Sequence, residues 1–290
     1  MRRGPDANDS SSPTASSPTR SAVPATGTPA QHLRPLPLAR AADEFVLTAA
    51  LLFLVVTVVR WLRDPASALY IEDLHTALAV IGPISGLLLI GLILSPPGRR
   101  SGGHMNPAIT VGVWLMDVFP GASVLPYAVA QLAGSVAGAA LGRLVWGAAV
   151  SGPAVHYSAL QPDPAWGRAA VFLAEAGCLL GLIVLVGFFL AYPAYNRWLP
   201  QAIGGALALF IVGLGPLSGA SANPARQFGP ALFSGRTDRL WIYLVAPVFG
   251  AVLGAAVHHL LFRRFQTRRP LTYKLAGPRA DADNRVARPV

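Results

Sequence analysis

Lysine occurs once in this chain, at Lys274, and cysteine once, at Cys178. A lone cysteine permits neither an internal disulfide nor a Cys-based metal site. Charged residues of all kinds make up only 12% of the 290 residues, whereas 53% are hydrophobic, a membrane-class composition. No nucleophile–base pair, metal-ligand cluster or phosphate-cradling loop stands out beyond isolated residues, so nothing suggests an enzyme or a cofactor. The formal charge of +10 is nearly all arginine. A nucleic-acid binder would gather that charge on one soluble face; here the arginines sit in tails and short loops beside apolar runs, which excludes nucleic acid as the partner. Arginine over lysine, with abundant Ala, Gly and Pro, suits a GC-rich bacterial genome. No compact apolar segment lies near Met1, which argues against a secretory signal peptide.

What is present divides the chain in three. Residues 1–40, rich in Ser, Pro and Arg, read as a disordered tail. Residues 41–265 carry six apolar stretches of spanning length, and residues 266–290 form a basic tail. The stretches run Asp43–Leu62, Leu74–Leu94, Val124–Val150, Arg168–Tyr192, Pro200–Leu217 and Leu240–Phe262. Trp61, Trp146, Trp166, Trp198 and Trp241 lie near their ends, as an interfacial belt would. Gly134, Gly138, Gly142, Gly250 and Gly254 predict close helix packing.

Asn106-Pro107-Ala108 recurs 117 positions later as Asn223-Pro224-Ala225. Asn is a favoured N-cap and Pro suits the first helical position, so each copy opens a helix. The apolar runs that follow reach only about half a hydrocarbon core. Tyr127 and Tyr243 begin a second repeated pattern at nearly the same offset, 116 positions. The unit is therefore three spans plus one half-helix, used twice, over about 41–150 and 168–265. An odd number of spans inverts the second copy, which brings the two half-helices together near the midplane from opposite sides.

Arginine placement sets the orientation. With both tails cytoplasmic, that side holds Arg2, Arg3, Arg20, Arg34, Arg40, Arg99, Arg100, Arg197, Arg263, Arg264, Arg268 and Arg269; the other retains chiefly Arg63, Arg168, Arg236 and Arg239. The positive half-helix ends would repel cations and protons. The asparagine amides would offer donors, and irregular backbone upstream (Gly102, Gly103, His104, Gly219, Ser221) would line a path with carbonyls. Such a pore suits small neutral hydrogen-bonding solutes.

Gly-Gly-His-Met-Asn-Pro-Ala-Ile-Thr (102–110), Ser-Gly-Ala-Ser-Ala-Asn-Pro-Ala-Arg-Gln-Phe-Gly-Pro (218–230), and the Glu of spans one and four resemble the aquaporin, or major intrinsic protein, family. The resemblance covers about residues 40–265. It implies an all-α fold of six membrane helices and two opposed half-helices, in a multi-pass homotetramer of the plasma membrane with one pore per subunit. It also implies a selectivity filter at Ser85, Ile211, Ala220 and Arg226; straight counting back from Asn106 gives Gly86 in place of Ser85. Water-selective members carry an aromatic and a histidine where this chain has Ser85 and Ile211. Glycerol channels usually carry Asp where it has Gln227. The small-Ile-Ala-Arg set is similar to nodulin-like members that pass boric acid and other metalloid hydroxides, so glycerol, urea, boric or arsenous acid and water are the expected solutes.

Glu44, Glu175 and Gln131 resemble the family's buried supports for the half-helix loops; a proton relay is the alternative for the two acids. His104 reads as a loop brace or a pH gate, and His258 with His259 as an interfacial anchor or metal ligands. The rival function is an inverted-repeat secondary transporter, which would need coupling-ion ligands.

Overall fold

The computed structural model describes Met1 and residues 36–262; the tail arginines on which the orientation partly rests, Arg2 to Arg34 and Arg263 onward, lie outside that range. Nine α-helices occur among the described residues: α1 Leu38–Arg63, α2 Leu74–Leu94, α3 Pro96–Ser101, α4 Pro107–Leu115, α5 Val124–Trp146, α6 Arg168–Ala191, α7 Leu199–Leu214, α8 Pro224–Ser234 and α9 Leu240–Phe262. Six of the segments are long and apolar enough to cross a membrane. The short helices α4 and α8, with 9 and 11 residues, fall well below that length.

Helix ends follow local chemistry. Helix α1 begins at Leu38, five residues before the apolar run suggests, directly after Pro37. The third span stops as an α-helix at Trp146 because Gly147 takes a positive φ of 61° and turns the chain into a 3₁₀ segment. Helix α7 ends at Leu214, three residues early, where Pro216 can donate no N–H to the ladder.

Small residues decide how the helices pair. Helices α1 and α5 run parallel: a Cβ on Gly134 would lie 2.5 Å from the Phe45 carbonyl oxygen, and one on Gly138 2.7 Å from Leu52 Cβ. Helices α6 and α9 repeat this arrangement, with Gly254 against Ile183 and Gly250 against Ala176. Helices α2 and α7 cross between the halves in antiparallel fashion, Gly86 on Gly204 and Gly82 on Ala208. Without a hydrophobic force to join helices in lipid, such close backbone approach supplies the packing energy. One core cluster gathers around α4, from Val113 and Met116 to Leu179, Ile183, Ala251 and Ala255.

Both ends of the described chain, at α1's start and α9's finish, emerge on one face. That face also carries α3 and the 193–198 turn; the opposite face carries the α1–α2 and α5–α6 loops.

Candidate functional site

Each half-helix is capped by its own asparagine. Asn106 Oδ1 accepts the Ala108 N–H at 2.9 Å, and Asn223 Oδ1 accepts the Ala225 N–H at 2.9 Å. The other end of each amide reaches across to the opposite repeat. Asn106 Nδ2 donates to the Ala222 carbonyl at 2.8 Å and Asn223 Nδ2 to the Met105 carbonyl at 2.9 Å. The caps therefore pin the two half-helices end to end. A primary amide has two N–H groups, so one remains on each asparagine for whatever lies beside it. That is half of what the sequence suggested, because a cross-repeat bond leaves no trace in one-dimensional pattern. Pro107, Ala108, Pro224 and Ala225 are buried behind the asparagines, which alone of the two tripeptides line the cavity.

The loops ahead of the caps are held by the two buried acids. Glu44 accepts from Ser101 Oγ at 2.6 Å, His104 N at 3.0 Å, Met105 N at 2.7 Å and Gln131 Nε2 at 2.8 Å. Glu175 accepts from Ser218 Oγ at 2.8 Å, Ser221 N at 3.2 Å and Ala222 N at 2.7 Å. Tyr127 and Tyr243 donate to the carbonyls of Ser101 and Ser218. The loop donors Ser101, His104 and Met105 recur as Ser218, Ser221 and Ala222 at the tripeptides' offset of 117, and Tyr127 recurs as Tyr243 at 116; Glu44 and Glu175 are 131 apart, and the counterpart of Gln131 is Pro247.

Peptide geometry converts those bonds into a row of acceptors. Across a trans peptide the N–H and the preceding C=O point in opposite directions. Because the amides of Gly103, His104 and Met105 face Ser101 and Glu44, the carbonyls of Gly102, Gly103 and His104 turn the other way. The same reasoning turns the carbonyls of Gly219, Ala220 and Ser221 away from Ser218 and Glu175. All six residues line the cavity. The twist that allows this is left-handed backbone at matching places: φ is 102° at Gly102, 62° at Gly103 and 49° at Met105, and 95° at Gly219, 50° at Ala220 and 45° at Ala222. Non-glycine residues in that region cost about 1–2 kcal/mol each, which the acid-to-amide bonds offset.

The cavity is continuous, about 480 Å³, and runs from Arg63, His156 and Arg236 on one face to Gly98, Arg99 and Asn196 on the other. Ser85, Ile211, Ala220 and Arg226 all line it, whereas Gly86 does not; Gly86 is turned into the α2–α7 contact, where its Cβ would meet the Gly204 carbonyl oxygen at 2.5 Å. Arg226 Nη1 donates to the Ser158 carbonyl at 2.7 Å. His156, Tyr157 and Ser158 hold φ of 43°, 57° and 59°, so this loop is coiled to present that carbonyl. Gln227 faces away from the cavity and clasps the same loop, accepting from Leu160 N at 2.9 Å and donating to Leu160 O at 3.2 Å. At the mouth, partial burial and the neighbouring Arg236 push the His156 pKa below the usual imidazole range.

His104 is fixed in place. Its ring sits 5.0 Å from Phe119 and 5.5 Å from Tyr127. Nδ1 lies 3.0 Å from Thr110 Oγ1, which donates to Asn106 O and accepts from Gln131 Nε2. The hydroxyl's one proton being used, Nδ1 must be the donor. His259 Nε2 lies 2.8 Å from the Leu115 carbonyl, at the last turn of α4, where an imidazole N–H satisfies an orphan helix-end acceptor. Sequence reasoning missed Ser101, Thr110, Ser135 and Ser158, and it read Ser218 as a carbonyl facing the pore, whereas that carbonyl accepts from Tyr243 and the hydroxyl donates to Glu175. Ser135 tethers α8, its hydroxyl donating to the Ala225 carbonyl and accepting from Gly229 N. Ser101 and Ser218 were within reach, since they share the 117-residue offset.

A helical bundle with two half-helices meeting over a continuous cavity, whose mostly apolar walls carry the loop carbonyls, the asparagine amides and Arg226, defines a membrane channel. The Major intrinsic protein family model matches residues 34–258, and the chain belongs to that family. It is 37% identical to a probable aquaporin, AqpM, of Archaeoglobus fulgidus over 60% of this chain and 73% of that one. It is 36% identical to nodulin-26 of Glycine max over 62% and 65%, and 33% identical to the propanediol uptake facilitator PduF of Citrobacter freundii over 64% and 84%. The aquaglyceroporin of Plasmodium falciparum shares the fold with a TM-score of 0.62 at 19% identity, over 81% of this chain and 99% of that one. The chain is thus a passive channel of the class that carries water and small neutral solutes.

Proposed function

We propose that this channel conducts small uncharged polyol-like solutes (glycerol, urea, or neutral hydroxides such as boric or arsenous acid) together with water, and excludes ions and protons. One observation carries the reading. Ser85, Ile211, Ala220 and Arg226 all line the cavity, and none of the three that accompany the arginine is aromatic or a histidine. Arg226 donates to the solute, the six loop carbonyls accept from it, and the small side chains leave room for a compact triol. Positive half-helix ends and the guanidinium disfavour cations, and asparagine N–H groups orient each passing molecule as an acceptor. A relative named for propanediol uptake supports a solute larger than water.

The working form is a homotetramer in the plasma membrane of a bacterium, with both termini cytoplasmic. Gly177 and Gly181 on α6 and Gly205 and Gly213 on α7 have nothing of their own subunit within reach of a Cβ, which suits helices that pack against a neighbouring copy. Arg40, Arg99, Arg100 and Arg197 on the face of the chain ends favour a cytoplasmic assignment for it. An alternating-access transporter would need coupling-ion ligands in the path, and among the described residues the cavity lining includes no carboxylate.

Proteoliposomes test the filter. Ser85→Phe with Ile211→His should lower boric acid and glycerol entry by roughly tenfold or more while water still passes. Unchanged solute entry would contradict these filter positions.

A further inference from the structure

Arg226 and Gln227 are consecutive on α8 and leave it about 100° apart, so one lines the cavity and the other is buried behind the wall. Both grip the loop of residues 156–160. Among the described residues the Ser158 carbonyl is the one acceptor for the Arg226 guanidinium, at 2.7 Å. Two residues further on, Gln227 Oε1 accepts from Leu160 N at 2.9 Å and Nε2 donates to Leu160 O at 3.2 Å. Gln227 borders a separate cavity of about 190 Å³, with Arg236, Asp238, Arg239 and Tyr243, and not the pore. Any effect it has on a passing solute must therefore run through the loop.

The loop needs holding. His156, Tyr157 and Ser158 are three successive residues with a Cβ in left-handed backbone, a costly stretch that relaxes unless its surroundings fix it. On its far side the chain is anchored: the Leu160 side chain sits where a Cβ on Gly219 would meet it at 2.9 Å, and Asp163 N donates to Leu217 O at 2.9 Å. Tyr157 leans on Phe233 with ring centres 5.3 Å apart, but an apolar ring contact sets no carbonyl direction. A primary amide donates and accepts at once, so the Gln227 clasp fixes both polar groups of Leu160 against α8. We infer that Gln227 is a positioning residue of the filter: its clasp on Leu160 fixes where the Ser158 carbonyl stands, and that carbonyl holds the Arg226 guanidinium to the wall, clear of the solute's path. The inference rests on the reading of Arg226 as a filter donor. A desolvated guanidinium deprived of its acceptor turns to the loop carbonyls that line the same cavity and narrows the passage.

Stopped-flow light scattering of proteoliposomes carrying the full-length protein tests this, with glycerol and water fluxes normalised to the protein incorporated. Gln227→Met keeps the length and loses both bonds; the glycerol-to-water ratio should fall roughly tenfold, the weight of a hydrogen bond to a charged group. In an Arg226→Val background the same change should leave the ratio alone, because residues acting through one interaction are not additive. An unchanged ratio in Gln227→Met overturns the inference. So does an equal fall of both fluxes, or a further fall in the Arg226→Val background, either of which would make Gln227 a structural residue only. Should Gln227→Met fail to reconstitute, Gln227→Glu keeps the acceptor for Leu160 N and loses the donor: its ratio must still fall, and an unchanged one is again fatal. If wild-type protein passes water but no glycerol, the proposed solutes are wrong and this inference is decided on water. Water must then slow in Gln227→Met and must not slow further in the Arg226→Val background; any other pattern overturns it.

Discussion

Two acids at matching positions do the same mechanical work. Glu44 satisfies four donors and Glu175 three, all from elements that would otherwise leave buried N–H or O–H groups unpaired. Each is fully buried, at 0% exposure. An intramembrane carboxylate in sequence is an ambiguous sign, since proton relays use the same residue type. What separates the readings is direction, and direction is absent from sequence: both carboxylates face backbone amides behind the cavity wall, so neither touches the solute path. Glu44→Ala should therefore act on stability first. Orphaning the His104 and Met105 amides and the Gln131 amide costs about 3 kcal/mol or more, seen as a lower thermal midpoint in detergent. An unchanged midpoint with lost flux would assign Glu44 to transport chemistry instead. Arg226 was legible because a charge within an apolar run stands out. Its partner was not, because the Ser158 carbonyl is backbone that any residue could supply.

At the level of elements, hydropathy and capping residues located nearly everything. Spans two and six have the boundaries read from the sequence, Leu74–Leu94 and Leu240–Phe262. The half-helices followed from Asn-Pro pairs, for which cap geometry is a strong local rule. The loops before them were legible only as irregular, since left-handed φ at Met105, Ala220 and Ala222 runs against residue preference and is imposed from outside by Glu44 and Glu175. The electrostatic role of the caps can be tested on the pair. Asn106→Asp with Asn223→Asp keeps both cap acceptors but removes both cross-repeat N–H donors and sets negative charge against the positive helix ends. The variant should leak monovalent cations in a liposome potential assay. If it stays cation-tight, the half-helix ends are not what excludes cations.

For the whole molecule, the repeat offset conveyed the inverted architecture before any coordinate did, because two motifs sharing one spacing constrain topology more than either alone. Assembly is written less clearly. Exposed glycines on α6 and α7 look like any small membrane residues until their empty surroundings are seen. If the proposed tetramer packs through these helices, Gly177→Leu with Gly181→Leu should dissociate it in detergent, read by native mass, and spare the protomer fold; an assembly that persists places the subunit contact on other helices. The central claim concerns passage itself. Stopped-flow light scattering of proteoliposomes in a boric acid gradient, with a pyranine record of internal pH, tests it most directly. The account predicts re-swelling well above that of empty liposomes, with an internal pH trace matching theirs under an imposed proton gradient. Equal re-swelling with and without protein, or a proton leak that appears only with protein, would contradict it.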